Sequence, residues 1–218
     1  KAVLQDGDVM AVTGGTTLAE VARSFPSSAE KLDVMVVPAR GGLGEEVEKQ
    51  ANTVAANIAE RLGGTYRLLH VPDDVGEDVI ASLCGDPKIK EMLDVIKNAD
   101  VVLHGIGTAE EMARRRGLGE EDLQLLRERR AVGEAFGYYF DEKGRIVYNT
   151  TSVGLRMEDL AKIDKVVAVG GGHTKAAAAL AVMSNRYQHV CITDEGAARL
   201  MYASLEGRDV EDDHFDGI

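Results

Sequence analysis

Short runs dominated by Val, Ile, Leu and Met recur along the chain, and each gives way to a stretch whose apolar residues fall at helical spacing. Residues 8–13, 32–38, 66–71, 100–105, 165–170 and 189–193 are nearly continuous in apolar side chains rather than alternating. Such runs predict strands buried on both faces of a parallel sheet. Between them, residues 45–62 set Val47, Ala51, Val54, Ile58 and Leu62 on one stripe, and 87–98 repeat the pattern with Ile89, Met92, Leu93 and Ile96. A further helix is predicted from Leu18, and the alanine-rich stretch 173–185 predicts one held close against a sheet. This alternation predicts βαβ units in an α/β fold, a doubly wound, mostly parallel, Rossmann-like sheet.

One stretch breaks the alternation. Residues 136–140 and 145–149 flank Asp141-Glu142-Lys143-Gly144, which predicts a β-hairpin with glycine at the turn position that needs a positive φ. Residues 133–155 therefore read as an antiparallel excursion inserted into the main fold. No repeat, low-complexity tract or linker divides the sequence, so residues 1–218 are expected to form one domain, with the acidic end 206–218 frayed.

Composition narrows the classes of function. The chain has 218 residues, 25 Lys and Arg against 37 Asp and Glu, and a formal net charge of −12. A duplex binder needs a basic face to displace counterions, so this chain is not expected to contact DNA directly. Cys84 and Cys191 both lie in apolar surroundings, which fits free thiols in a reducing cytoplasm. No apolar run approaches the roughly 20 residues of a membrane span. The chain opens on Lys1 and is already patterned by Leu4, so it reads as an excised part of a longer protein with its N-terminal portion missing.

In an open α/β sheet, ligands sit beyond the carboxyl ends of the strands. Four of the predicted strands end in glycine-bearing junctions: Thr13-Gly14-Gly15-Thr16-Thr17, Arg40-Gly41-Gly42, Gly105-Ile106-Gly107-Thr108 and Gly170-Gly171-Gly172-His173-Thr174-Lys175. Glycine lets backbone amides approach an anion, a helix N-terminus adds partial positive charge, and threonine hydroxyls supply donors. Any one such loop is equally a tight turn; four at one edge point to an anion site. Arg40 and Lys175 lie within two of them, and Arg114-Arg115-Arg116 follows a third, so at least one of those arginines is expected to turn inward. Separated cationic groups fit a ligand with two anionic ends, such as a sugar bisphosphate. Neither a dinucleotide fingerprint nor a P-loop is present, and there is no tryptophan to stack a base. Metal-ligand spacing is also absent.

Candidate acid–base groups are few. Asp141 has a turn role available in Asp-Glu-Lys-Gly, and His104 lies inside an apolar strand, where a packed core histidine is expected. His173 stands at a helix start, and Glu134, between small and aromatic residues, suits binding of a sugar hydroxyl. Phe136, Tyr138, Tyr139 and Tyr148 are candidates for a subunit contact, with core packing expected for at least half of them.

The ordered set Thr13-Gly14-Gly15-Thr16-Thr17, Gly105-Ile106-Gly107, Gly133-Glu134-Ala135-Phe136-Gly137 with Phe140-Asp141, and Gly170-Gly171-Gly172-His173-Thr174-Lys175 resembles the sugar-binding domain of the SorC family of bacterial transcriptional regulators. The resemblance covers essentially the whole chain. It implies a fold like glucosamine-6-phosphate deaminase and ribose-5-phosphate isomerase, no cofactor, and a phosphorylated sugar as effector. Among glycolytic members it implies fructose 1,6-bisphosphate, repression of glycolytic genes, and operator DNA bound through a missing N-terminal winged helix-turn-helix domain. It also implies a homo-oligomer, a dimer that is tetrameric on DNA. Carried over residue by residue, Gly14, Gly15, Thr16 and Thr17 with Arg40 and Lys175 would hold one phosphate. Arg115 would reach the other, and Glu134 and Gln50 would meet sugar hydroxyls or neighbouring side chains; for Gln50, a plain helix-face role is the alternative. The related deaminases carry Asp-Gly-His soon after their Gly-Ile-Gly loop, where this chain reads Gly105-Ile106-Gly107-Thr108-Ala109-Glu110-Glu111. That departure favours a sensor over the alternative, a sugar-phosphate isomerase or deaminase.

Overall fold

The computed structural model describes residues 4–25, 31–42, 46–72 and 76–207. The described residues build two sheets. The larger holds β1 (Val9–Val12), β2 (Met35–Pro38), β3 (Thr65–Tyr66), β4 (Val101–Gly105), β9 (Lys165–Val169) and β10 (Val190–Ile192), in the order β10-β9-β4-β1-β2-β3. All of its pairings are parallel. The smaller is antiparallel, β5 (Gly107–Thr108), β6 (Ala131–Ala135), β7 (Tyr138–Asp141) and β8 (Ile146–Asn149) in chain order.

The continuous apolar runs are explained by burial on both faces. Met10, Val12, Val36, Leu103 and Val167 pack on one side against α1 (Thr16–Ser24) and α2 (Ala51–Leu62). Their neighbours Ala11, Val37, Val102, Val166 and Ala168 point the other way, into a core shared with α4 (Pro87–Lys97), α7 (Ala176–Ser184) and the smaller sheet. Apolar throughout except for its last residue, Ser184, α7 is a helix buried on most sides. It lies so close to the smaller sheet that a Cβ on Gly133 would fall 2.8 Å from the Ala178 carbonyl oxygen. The remaining helices, α3 (Glu77–Gly85), α5 (Ala109–Arg115), α6 (Glu120–Glu128) and α8 (Glu195–Leu205), complete the shell. Residues of α5 and α6 cover the smaller sheet at Tyr139.

Several elements differ from the pattern-based expectation; in the stretch 173–185, His173–Lys175 form a separate 3₁₀ turn, and α7 begins only at Ala176. The third strand is only two residues long, not 66–71. Beyond it the Asn52 side chain donates to the Leu69 carbonyl at 3.1 Å and accepts from the Leu69 amide at 3.0 Å, replacing the ladder. The second helix begins at Ala51, because Val47–Lys49 form a separate 3₁₀ turn and Gln50 is extended (φ −69, ψ 141). Val47 is consequently 69% exposed and off the buried stripe, while Glu45 lies outside the described residues. The antiparallel excursion is larger than 133–155, since β5 and the start of β6 join it. Its first hairpin turns at Phe136-Gly137, both at positive φ (56 and 80), so Phe136 is a turn residue rather than a strand residue. The second hairpin is as expected, with Gly144 at φ 75. Of the four aromatic candidates for a subunit contact, Phe136 and Tyr139 are buried and Tyr138 and Tyr148 partly so. Of the stretch 206–218 expected to fray, Glu206 is the C-cap of α8, and 208–218 fall outside the described residues. Cys84 and Cys191 are free and partly buried against the apolar core.

Candidate functional site

A cleft opens beyond the carboxyl ends of β1, β2 and β4. Its floor is backbone brought together by small residues. A Cβ on Gly14 would stand 2.4 Å from the Lys49 carbonyl oxygen and 2.9 Å from the Ala51 nitrogen. The Gly15 amide donates to that same carbonyl at 2.7 Å. The loop after β1 is thus seated on the entry to α2, and that contact delivers Lys49 and Gln50 to the cleft. The Thr13 hydroxyl accepts from the Gly105 amide at 3.1 Å and ties the loops after β1 and β4 together. Gly15 occupies the N-cap of α1, and no side chain caps that helix. Its first amides thus have no side-chain acceptor, and Thr16 and Thr17 both line the cleft.

The structure brings all nine residues singled out from sequence to this one cleft: Gly14, Gly15, Thr16, Thr17, Arg40, Gln50, Arg115, Glu134 and Lys175. Gln50 lies not on the helix face but just before α2. Arg40 is buried, clamped by two glycines. A Cβ on Gly154 would fall 2.5 Å from the Arg40 Cα, and one on Gly137 would fall 3.0 Å from both terminal guanidinium nitrogens.

The arginine triplet divides. Arg114 pairs with Glu110 in solvent at 2.5 Å, whereas Arg115 and Arg116 both line the cleft. Arg116 Nη2 donates to Glu134 Oε1 at 3.2 Å, with side chains 3% and 5% exposed. The Gly137 amide donates to the same oxygen at 2.5 Å. Lys49 and Arg116 were not singled out from sequence. Gly117, at φ 65, marks the end of α5 and would have placed 115 and 116 in its last turn. Nothing local marks Lys49, which arrives through the Gly14 contact.

The fourth glycine loop differs from the other three: of its residues, Lys175 is the one that lines the cleft. The Gly172 amide instead donates to the Asp194 carboxylate, which also N-caps α8 by accepting from Ala197 at 3.0 Å. Those backbone amides, led by Ala197 and then Gly172, hold the Asp194 carboxyl below its usual range. His173 is exposed and outside the cleft lining.

Neither of the other acid–base candidates reaches the cleft. His104 is buried, its Nδ1 3.0 Å from the Gly105 carbonyl and its ring 4.7 Å from that of Phe136. Burial pulls its pKa down to about 4, against a smaller opposing effect of the Gly105 hydrogen bond. Asp141 is the turn residue expected, accepting from the Lys143 and Arg145 amides at 2.9 Å each and from Arg145 Nε at 2.7 Å. Burial pushes its carboxyl up, but the bonds from the Arg145 side chain and the two amides outweigh it, so the net shift is downward. Among the described residues, no group of acidic, histidine or cysteine side chains is placed to hold a metal ion, and no helix is long and apolar enough to cross a membrane.

With this geometry in place, likeness to known proteins is informative. Residues 1–203 match the family described as "Putative sugar-binding domain". The central glycolytic genes regulator of Priestia megaterium is 48% identical over 192 residues, 88% of this chain and 56% of that protein. The regulator of the same name from Bacillus subtilis is 44% identical over the same shares. This chain thus spans little more than half the length of those curated relatives. A crystal structure described as a putative SorC family transcriptional regulator, from Enterococcus faecalis, superposes with a TM-score of 0.84 at 43% identity, covering 92% of this chain and 83% of that one.

Proposed function

The chain belongs to the sugar-binding domain family of SorC-type transcriptional regulators, and on that premise we propose that it is the effector-binding and oligomerisation domain of a repressor of glycolytic genes, sensing fructose 1,6-bisphosphate. One observation carries this reading. In a chain of net charge −12, Arg40, Lys49, Arg115 and Lys175 converge on a single cleft walled by glycine loops and the uncapped start of α1, where Arg116 is paired with Glu134. A dianion at each end of a ligand would meet amides, hydroxyls and guanidinium groups, each charge-assisted hydrogen bond contributing ~1.5–3 kcal/mol before desolvation is subtracted.

Sensing rather than turnover is supported by the site's acid–base groups. One oxygen of Glu134 is held by Arg116 and the Gly137 amide, and His104 is buried away from the cleft. The matched relatives are named as regulators, not enzymes. Binding would shift a conformational equilibrium, whereas turnover would erase the signal. In the whole cytoplasmic protein, operator DNA would be contacted by an N-terminal domain outside this chain, and coupling would act through the arrangement of subunits, dimers that assemble as a tetramer on DNA.

Calorimetric and thermal-shift titration of the chain against a panel of sugar phosphates tests the reading, because a ligand that binds only the folded state raises Tm. Fructose 1,6-bisphosphate is expected to give the largest shift, and Lys175→Ala and Arg40→Ala each to weaken it. Arg115→Ala should cost a bisphosphate far more than a monophosphate. Unchanged affinity in both of the first variants moves the site elsewhere, and equal losses in the third remove the two-ended ligand. Conversion of fructose 6-phosphate or glucosamine 6-phosphate by the chain would turn the assignment to an isomerase or deaminase.

A further inference from the structure

We propose that Arg116 sets the cleft's selectivity for a hydroxylated ligand, by holding Glu134 so that Oε2 is presented to the cleft as a hydroxyl acceptor. This rests on the sugar-bisphosphate reading above and assigns a positioning role within it. Arg116 and the Gly137 amide both bind Oε1, at 3.2 and 2.5 Å, so the carboxylate is pinned by one oxygen from two directions. The other oxygen lies beside Gly107, which pairs with Glu134 across β5 and β6 and lines the cleft. A Cβ on Gly107 would stand 3.6 Å from Oε2 and 2.2 Å from Met112 Cγ. The space that a side chain at Gly107 would take is filled by Met112, and Glu134 itself lines the cleft beside it.

The chemistry of that oxygen decides what approaches it. A carboxylate accepts from hydroxyls and repels phosphate, so the place beside Gly107 belongs to the sugar and the phosphates are kept to the cationic ends. Adjacent arginines thereby divide the work. Arg116 serves the Glu134 carboxylate, while Arg115 lines the cleft with its Nη1 3.9 Å from Met112 Sδ and would meet the ligand's anion there. A buried site built to accept from a hydroxyl discriminates strongly against an analogue that lacks it.

The test compares fructose 1,6-bisphosphate with 1,6-hexanediol bisphosphate, which keeps both phosphates and has no free hydroxyl, by calorimetry on the chain. Arg116→Met is expected to weaken the sugar bisphosphate about tenfold, the loss of one charge-assisted hydrogen bond, and to leave the diol bisphosphate nearly unchanged. Glu134→Gln should show the same selective loss, and Arg116→Lys should recover part of it. Arg116→Met leaves a buried carboxylate without its cation and is at risk of not folding. Arg116→Met combined with Glu134→Gln removes both charges and is expected to fold, to keep the diol bisphosphate, and to be no worse for the sugar than the poorer single variant. Equal losses for the two ligands would make Arg116 a phosphate ligand or a scaffold residue, and unchanged sugar affinity would remove the role; either overturns the proposal. Failure of the unsubstituted chain to bind either compound is a distinct result that overturns the sugar-bisphosphate reading itself.

Discussion

His104 shows how one buried side chain writes itself into the behaviour of the protein. With its pKa lowered from 6.5 to about 4 by burial, the folded chain refuses a proton that the unfolded chain accepts. The histidine's contribution is complete above the unfolded value and is lost as pH falls through that window, on the order of 3 kcal/mol in all. Urea midpoints are expected to drop between pH 6.5 and 4, and His104→Gln to flatten that slope. An unchanged slope in the variant would place the acid sensitivity elsewhere. Asp141 and Asp194, whose carboxyls are held below their ordinary 3.8, lose their contributions only in more acidic solution and leave this window to the histidine. The packed character of His104 was legible from the apolar residues on either side of it. The cleft residues were legible for a different reason: glycine, threonine and a cation at a strand end have few other uses. Arg116 was not, because three consecutive arginines sweep through about 200° of a helix and their order alone does not say which face inward.

At the scale of elements, the parallel strands were legible because burial on both faces leaves a sequence little besides Val, Ile, Leu and Met. The Phe136-Gly137 turn was not, because an aromatic residue at positive φ contradicts local preference and persists only where its surroundings impose it. Here the imposing contacts are the His104 ring against Phe136 and the Glu134 carboxylate on the Gly137 amide. The start of α2 was misplaced for a similar reason: a contact distant in sequence, with Gly14 and Gly15, occupies the Lys49 carbonyl that a continuous helix would need. The turn makes a prediction. A Cβ at Gly137 would fall 2.6 Å from Thr150 Oγ1 and 3.0 Å from the Arg40 guanidinium, in a backbone conformation that disfavours any side chain. Gly137→Ala is expected to cost about 1–3 kcal/mol of stability. It should also weaken sugar-bisphosphate binding through Arg40 in the fraction that folds. Thermal unfolding and titration read the two effects separately, and a variant as stable as the parent would remove the crowding argument.

For the whole molecule, the contrast between a net charge of −12 and a cationic cleft has a kinetic signature. An incoming bisphosphate is repelled at long range and held at short range. Salt screens charges beyond a Debye length of ~10 Å at 0.1 M and acts far less on enclosed contacts. The association rate constant for a bisphosphate is therefore expected to rise as salt is added from a few millimolar to about 0.1 M, read by stopped-flow mixing. A rate that falls over that range would mean the local field of the cleft extends into solvent and dominates approach.

Gly105 ends a strand of the parallel sheet and Gly107 begins one of the antiparallel sheet, so Ile106 by itself is the corner between them. One residue offers only two soft torsions, and this one is 3% exposed, with Gly170 drawn up against its side chain. There is no slack at that corner to absorb a tilt. Gly105, Ile106 and Gly107 line the cleft together with Glu134 of the smaller sheet, so a ligand there would bear on the corner and on both sheets at once.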